Sequence, residues 1–401
     1  INFVHNCNIH CFLFYFFIQK FTYVNNSILK FVIIYLMKDF NFYDDFKVKS
    51  LYGRYITNDC IYKLHKVHNY SILGYSVNNK PIYYFKVGSG KKKILIWSQM
   101  HGNESTSTKA LYDALSYFSK IDHNSLSHLS LYIIPILNPD GALLYSRENY
   151  NNVDLNRDAL LLTQKESVLL RNLYKKIKPH YCFNLHDQRS IYSVSNTKNP
   201  SILSFLSPSA DSTKSETKSR VISMKIIASI SKKLSTLIPD CFSRYNDDYN
   251  KNCVGDTFQS LGTPTILFES GHYQNDYQRE NTRKYMCFAL ISSLCSIAFD
   301  NFKKFNHKDY YLIPKNTTYL TDVFLRNVKV KQDEKYFTTN ISIMYKEVFN
   351  NISNQIEFEP YIDKKGDLKN MFGHKDIDFS NVSECFDLNM NPVSKLMFRV
   401  G

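Results

Sequence analysis

Glycine and proline are sparse in this chain of 401 residues, at 12 and 11, which excludes collagen-like and low-complexity architectures. The nine cysteines are odd in number and follow no regular spacing. That argues against a disulfide scaffold and for a reducing compartment. No run of about 20 apolar residues, the length of a membrane span, goes unbroken; Lys20, Asn25, Asn26 and Lys30 interrupt the greasiest region. Acidic residues are outnumbered, 36 Asp and Glu against 50 Lys and Arg, for a formal net charge of +14. The aromatic-basic strands or basic helix that would turn this excess into nucleic-acid recognition are missing. Lys, Asn, Ile, Tyr and Phe abound along the whole chain, so the charge reads as compositional bias. Neither a nucleic-acid nor a membrane partner is expected. What the chain does have is 44% hydrophobic residues, enough for one large α/β domain and a small accessory one.

The first methionine is Met37, and the 36 residues before it are apolar and erratic. A secretory signal would carry a basic start before its apolar run, and no Lys or Arg precedes residues 11–18. Residues 1–36 are therefore read as an upstream extension with translation from Met37, or as a degenerate signal anchor. The first reading implies a cytoplasmic protein.

Four short apolar runs, at 94–97, 131–137, 181–185 and 265–268, each end abruptly on polar residues. Helical patterns over 105–119, 164–177, 219–237 and 277–302 lie between or after them. The alternation predicts a mixed, largely parallel sheet flanked by helices. Ligands of such sheets bind beyond the carboxyl ends of the strands. Residues 195–220, rich in Ser, Thr, Lys and Pro, read as a long excursion or lid. Residues 306–401 carry thirteen basic and thirteen acidic residues and read as a small β-rich accessory domain without a catalytic constellation. The expected organisation is thus 1–36, a catalytic domain over 37–305, and 306–401.

The polar residues after the runs carry the chemistry. His101 and Glu104 stand three apart after the first, a spacing that can aim an imidazole and a carboxylate at one centre. Asn138-Pro139-Asp140-Gly141 forms a turn after the second, followed by Arg147 and by Val153-Asp154-Leu155-Asn156-Arg157. An adjacent Asn and Arg can grip one carboxylate. The third run ends on His186 and the fourth on Glu269, where a hydrophobic interior would raise a carboxyl pKa toward general-base values. His65 and His68 have no acidic or thiol companions and are expected on the surface.

Together these residues resemble the zinc metallocarboxypeptidase family over roughly 75–300. His186 lies 82 residues after Glu104, and Glu269 lies 83 after His186. The resemblance implies one zinc ion per chain, held by His101, Glu104 and His186, with Asp154 orienting His101. It implies Glu269 as the base acting on a zinc-bound water and Arg147 as the oxyanion partner. Asn156 and Arg157 would hold the free C-terminal carboxylate of a peptide substrate. Tyr245 and Tyr249 are both candidates for the family's mobile phenol. The pocket wall is expected from residues 250–263, where Asn252, Cys253, Val254 and Thr257 are uncommitted. Gln188 and Arg189 either contact substrate or orient neighbouring loops. On the same scaffold, an amidohydrolase of the aspartoacylase and succinylglutamate desuccinylase type, acting on N-acyl amino acids, is the alternative. A non-catalytic zinc-binding protein is another. Oligomeric state is not legible.

Overall fold

Branched and aromatic residues in short runs build the main sheet. Its strands are β1 Ser71–Tyr75, β2 Pro81–Val87, β3 Lys92–Ser98, β4 Leu129–Ile134 and β5 Tyr181–Asp187. The two-residue β6 Ser193–Val194 lies apart; β7 Leu203–Leu206, β8 Phe242–Arg244 and β9 Thr265–Ser270 complete the sheet. This computed structural model describes residues 40–390 and 393–400, so the reading of residues 1–36 falls outside it. The chain divides into two units, 1–45 and 46–401; of the first, the helix Phe40–Asp44 is described. The boundary drawn at residue 305 falls inside the second unit, which holds every candidate site residue.

The strand order is β1-β2-β4-β3-β5-β9-β7-β8. The central four are parallel, whereas β2 pairs antiparallel with β4 and β7 antiparallel with β9. Helices cover both faces, as a buried parallel sheet requires. They are α1 Thr106–Lys120, α2 Pro139–Leu144, α3 Lys165–Ile177, α4 Lys218–Leu237, α5 Val254–Ser260 and α6 Glu280–Ala298. Side chains alternate across β3. Leu95 and Trp97 join Leu170, Leu173 and Phe258 of α3 and α5. On the other face Ser98 Oγ meets Thr108 Oγ1 of α1 at 2.8 Å, and α4 and α6 pack beside α1. The observed fold is the expected mixed α/β sheet with a β-rich C-terminal region.

Two details differ from expectation. Residues 203–206 are strand β7 of the main sheet, so 195–220 is not simply a lid; four alternating residues are swamped by the composition around them. The run at 131–137 leaves the regular strand at Ile134, because Pro135 has no N–H for the ladder, and Leu137 and Asn138 then donate to the Ser98 and Gln99 carbonyls.

The C-terminal strands are β10 Asn316–Thr317, β11 Leu320–Gln332, β12 Lys335–Asn350, β13 Gln355–Gly366 and β14 Phe372–Asp378. They form a sheet of order β13-β12-β11-β14, with β10 pairing instead with β6. Asp333 and Glu334, at φ 49° and 63°, make the two-residue turn that right-twisted hairpins favour. Val323, Leu325, Val328, Ile341 and Ile343 form its own core. Among the described residues, no helix is long and apolar enough to cross a membrane.

Helices α1 and α6 are locked by a fully buried, bidentate ion pair. Arg283 Nε donates to Asp113 Oδ2 at 2.7 Å, and its Nη2 donates to Oδ1 at 2.7 Å. The same guanidinium donates to the Val48 and Leu51 carbonyls. Removing one partner leaves a buried charge uncompensated, which costs about 3–5 kcal/mol. Arg283→Ala is therefore expected to lower the stability by about that amount in urea unfolding. A loss within the scatter of surface substitutions would contradict the pair's role.

Candidate active site

Each strand end delivers one component. After β3 the backbone turns at Gln99, whose φ is 43°, and Gln99 Nε2 donates to the Gly102 carbonyl at 2.9 Å. A Cβ on Gly102 would stand 1.9 Å from the carbonyl carbon of Gly141. The His101–Glu104 loop and the turn after β4 thus touch backbone to backbone, which only glycine permits. Asn138 fastens that turn: its Oδ1 accepts from Gly141 N at 2.8 Å, and its Nδ2 donates to the Glu148 carbonyl at 3.1 Å. Asp140 accepts from Ser76 Oγ at 2.9 Å and Asn78 N at 3.1 Å, tying the turn to the β1–β2 hairpin.

At the end of β5, Asp187 caps α1, accepting from Thr106 N at 2.9 Å and Ser107 N at 3.2 Å. Its own N–H donates to Glu104 Oε2 at 3.1 Å. The residue following His186 therefore orients Glu104. Nothing in the linear pattern marked Asp187 for this task.

His101, Glu104 and His186 converge, with one ligand atom from each lying within 4.8 Å of the others. His101 Nδ1 is 2.9 Å from Glu104 Oε1 and 3.1 Å from His186 Nδ1, and His186 Nδ1 is 2.8 Å from Glu104 Oε2. On the far side of its ring, His101 Nε2 lies 2.9 Å from Asp154 Oδ1. A proton held there leaves the Nδ1 lone pair facing the cluster. His186 Nε2 is buried without a hydrogen-bond partner. Two imidazole nitrogens and a carboxylate aimed at one point form a donor set suited to zinc.

The charges follow from this crowding. Burial opposes ionisation of Glu104, yet His101 and His186 together outweigh it and hold the carboxyl well below the usual range. Burial also opposes ionisation of Asp154, but His101 and Arg147 keep its carboxyl low. Arg147 grips Asp154 Oδ2 through Nε at 3.2 Å and Nη2 at 2.9 Å, and reaches Glu104 Oε1 at 3.3 Å. Glu269 pairs in register with His186 across the parallel strands β5 and β9. Burial, then Glu104 and Asp187, push its carboxyl well above the ordinary 4.5, and its Oε2 has no partner.

Asn156 and Arg157 begin two residues after Asp154, whose Oδ1 accepts from Asn156 N at 2.8 Å. Asn156 Oδ1 accepts from Val254 N at 3.0 Å at the start of α5. Arg157 is exposed; its Nη1 donates to the Asn156 carbonyl at 2.8 Å and lies 3.0 Å from Cys253 Sγ. Of the two tyrosines, Tyr245 is the one whose hydroxyl senses Glu269. Burial and then Glu269 push its pKa far up, and it lies 2.7 Å from the Tyr192 hydroxyl. In the expected pocket wall, Val254 and Phe258 are core residues, and Asn252 and Thr257 bond within neighbouring loops. His68 departs from its expected surface place. It packs against Phe85 and Tyr112, and burial pushes it down to about 4.

A cavity of about 540 Å³ opens beside the cluster. Glu104, Arg147 and His272 lie on one wall; Tyr345, Glu347 and Tyr361 of the C-terminal sheet lie on another. Asn156 and Arg157 are outside its lining. The sequence offered no sign that the accessory sheet reaches the site, since Arg54 and Glu347, 293 positions apart, meet only in the fold.

Residues 63–228 match the family model described as zinc carboxypeptidase. Carboxypeptidase 2 of Trichophyton rubrum is 29% identical over 101 residues, covering 24% of this chain and 19% of the relative. The chain thus spans about a fifth of that relative's length. Among solved structures, a metallo-carboxypeptidase from Burkholderia cenocepacia is 16% identical at a TM-score of 0.47, over 60% of this chain and 68% of that one. A metallo-carboxypeptidase from Pseudomonas aeruginosa, in complex with (2-guanidinoethylmercapto)succinic acid, is 14% identical at 0.49, over 62% and 70%.

Two like charges and burial act together on Glu269, so its carboxyl in the metal-free protein is expected to titrate above 4.5. A bound dication favours the ionised form; adding zinc should move that titration downward. Carbon-13 NMR of labelled glutamate, assigned by comparison with Glu269→Gln, reads both directions.

Proposed function

We propose that this chain, whose residues 63–228 match the family model described as zinc carboxypeptidase, is a zinc-dependent carboxypeptidase that hydrolyses the C-terminal peptide bond of peptides. His101 Nδ1, Glu104 and His186 Nδ1 would hold one zinc ion. A bound zinc supplies Lewis-acid polarisation of a carbonyl and lowers the pKa of water. The chain's own residues do the rest. Glu269 takes the proton of the attacking water and returns it to the leaving amine. Burial raises its proton affinity above that of an ordinary carboxylate, which favours taking a proton from water. Arg147, already beside Glu104, donates to the carbonyl oxygen as negative charge develops there. The Asn156 amide and the Arg157 guanidinium hold the terminal carboxylate, which sets the scissile bond in place and converts recognition into rate.

The observation that carries this reading is the convergence of three ligand atoms within 4.8 Å, with a buried carboxyl paired in register beside them. The cavity of about 540 Å³ favours a peptide over an N-acyl amino acid. It has the size of sites for sizeable ligands, more than a small acyl group needs.

Glu269→Gln is expected to bind zinc with unchanged stoichiometry while kcat falls by about 10²- to 10⁴-fold. Metal analysis and peptide turnover on the same preparation separate the two effects, and undiminished turnover would remove Glu269 from the mechanism. Arg157→Ala is expected to lower kcat/KM for free-carboxylate peptides by about tenfold or more relative to C-amidated ones. Equal losses on both would refute the clamp.

A further inference from the structure

Three cations line the cavity beside the cluster with no carboxylate at ion-pair distance among the described residues, although Asp187 and Glu347 act on Arg279 through space. Arg279 is 4% exposed and lines it. Its Nη1 donates to the Ser270 carbonyl at 2.8 Å, and its Nε is buried without a partner. Among the described residues no carboxylate pairs with this guanidinium, and a buried unpaired cation is costly to a fold. Arg189 and Lys346 are exposed at the same cavity and likewise make no ion pair among the described residues.

The acids of the cavity are already engaged. Glu347 of β12 binds Arg54 at 3.1 and 3.2 Å and accepts from the Tyr145 hydroxyl. Asp322 of β11 accepts from the Tyr277 hydroxyl at 3.1 Å and from Tyr345 N at 2.8 Å. Asp187 caps α1, and Glu104 belongs to the ligand cluster. Between the cations stands an aromatic wall, with Tyr277 at 5.0 Å from Tyr345 and 5.3 Å from Phe358 between ring centroids.

We propose that this cavity, walled by the C-terminal sheet, is an anion-selective subsite that binds an acidic side chain of the substrate upstream of the scissile bond, through Arg279, Arg189 and Lys346. The inference rests on the carboxypeptidase reading. The carboxylate clamp falls outside the cavity lining, so a peptide held by Arg157 and passing the cluster enters the cavity with its upstream residues. A carboxylate there gives Arg279 the partner it lacks and draws the two rim cations inward. The aromatic wall takes the aliphatic stem of the side chain. The accessory sheet thereby sets specificity, contributing Lys346 and the aromatic wall while the catalytic domain contributes the two arginines.

The test uses the zinc-loaded full chain and peptides in which one Glu, or one Gln, is walked through the three positions before the scissile bond. At one of these positions Glu is expected to raise kcat/KM by about tenfold over Gln, the scale of one charge-assisted hydrogen bond. In the Arg189→Ala/Lys346→Ala double variant, whose changes are on the exposed rim, that ratio falls toward one. A ratio near one in the unmodified protein, or a ratio kept by the double variant, overturns the subsite. A second arm needs no turnover: fluorescence anisotropy of labelled, N-acetylated, C-amidated tri-Glu and tri-Gln peptides. Tighter binding of tri-Glu by about tenfold, lost in the double variant, supports the subsite, and equal binding refutes it. If no peptide is cleaved, the carboxypeptidase reading falls while the binding arm still decides the anion site.

Discussion

The parallel pairing of β5 with β9 is the constraint on which the rest depends. It sets His186 beside Glu269 and Asp187 beside Ser270 in register. From that one strand end, Asp187 starts α1 with its carboxylate and orients Glu104 with its N–H. A register shift of one residue would turn His186 to the opposite face of the sheet. It would also withdraw the cap of α1 and the donor to Glu104 together. The prospective ligands, the helix that follows one of them and the buried Glu269 carboxyl are therefore not independent features. They are consequences of one ladder of backbone hydrogen bonds, held by apolar residues buried on both sides.

That geometry concentrates charge where solvent is scarce. Glu104, Glu269, Asp154 and Asp187 face one another across a small volume. Arg147 and His101 each span two of them, Glu104 and Asp154, by direct contact. The strain shows in opposite directions on neighbouring carboxyls: two imidazoles hold Glu104 low, while burial and Glu104 itself push Glu269 high. Environments that drive paired acids apart separate a ligand from a proton carrier. The unpartnered Oε2 of Glu269 belongs to the same picture, since a buried polar atom without a partner at such a cluster is open to a ligand.

The sheet and its site were legible to different depths. Runs at 94–97, 181–185 and 265–268 announced buried strands because both faces are apolar, and their polar successors marked the site edge. The loop motifs were legible because their residues bond locally: Asn138 caps its own turn, and Asp154 bonds Asn156 two positions on. β7 stayed hidden because four residues carry too little pattern against a Ser-rich background. The roles of Arg279, Glu347 and Asp322 were invisible for another reason. Glu347 and Asp322 are defined by partners far along the chain, Arg54 and Tyr277, and Arg279 by its burial beside a cavity that only the fold creates; composition holds no trace of either.

The C-terminal sheet illustrates what net charge conceals. Thirteen charges of each sign cancel over residues 306–401, yet its contribution at the cleft is directional. Glu347 and Asp322 face inward onto donors outside the sheet, Arg54, Tyr145 and Tyr277. Phe349 stacks on Tyr55 with centroids 4.1 Å apart, and His374 Nε2 lies 2.8 Å from the Ser190 carbonyl. Contacts of this kind depend on angle as well as area, so they define one orientation, where a purely greasy interface would tolerate sliding. A wall fixed in orientation is already shaped before substrate arrives, and preorganisation lowers the ordering cost of binding. With its two inward acids used for anchoring, Arg189, Arg279 and Lys346 have no carboxylate at ion-pair distance among the described residues. The attachment of the sheet and the availability of these cations are thus two results of the same placement of charge.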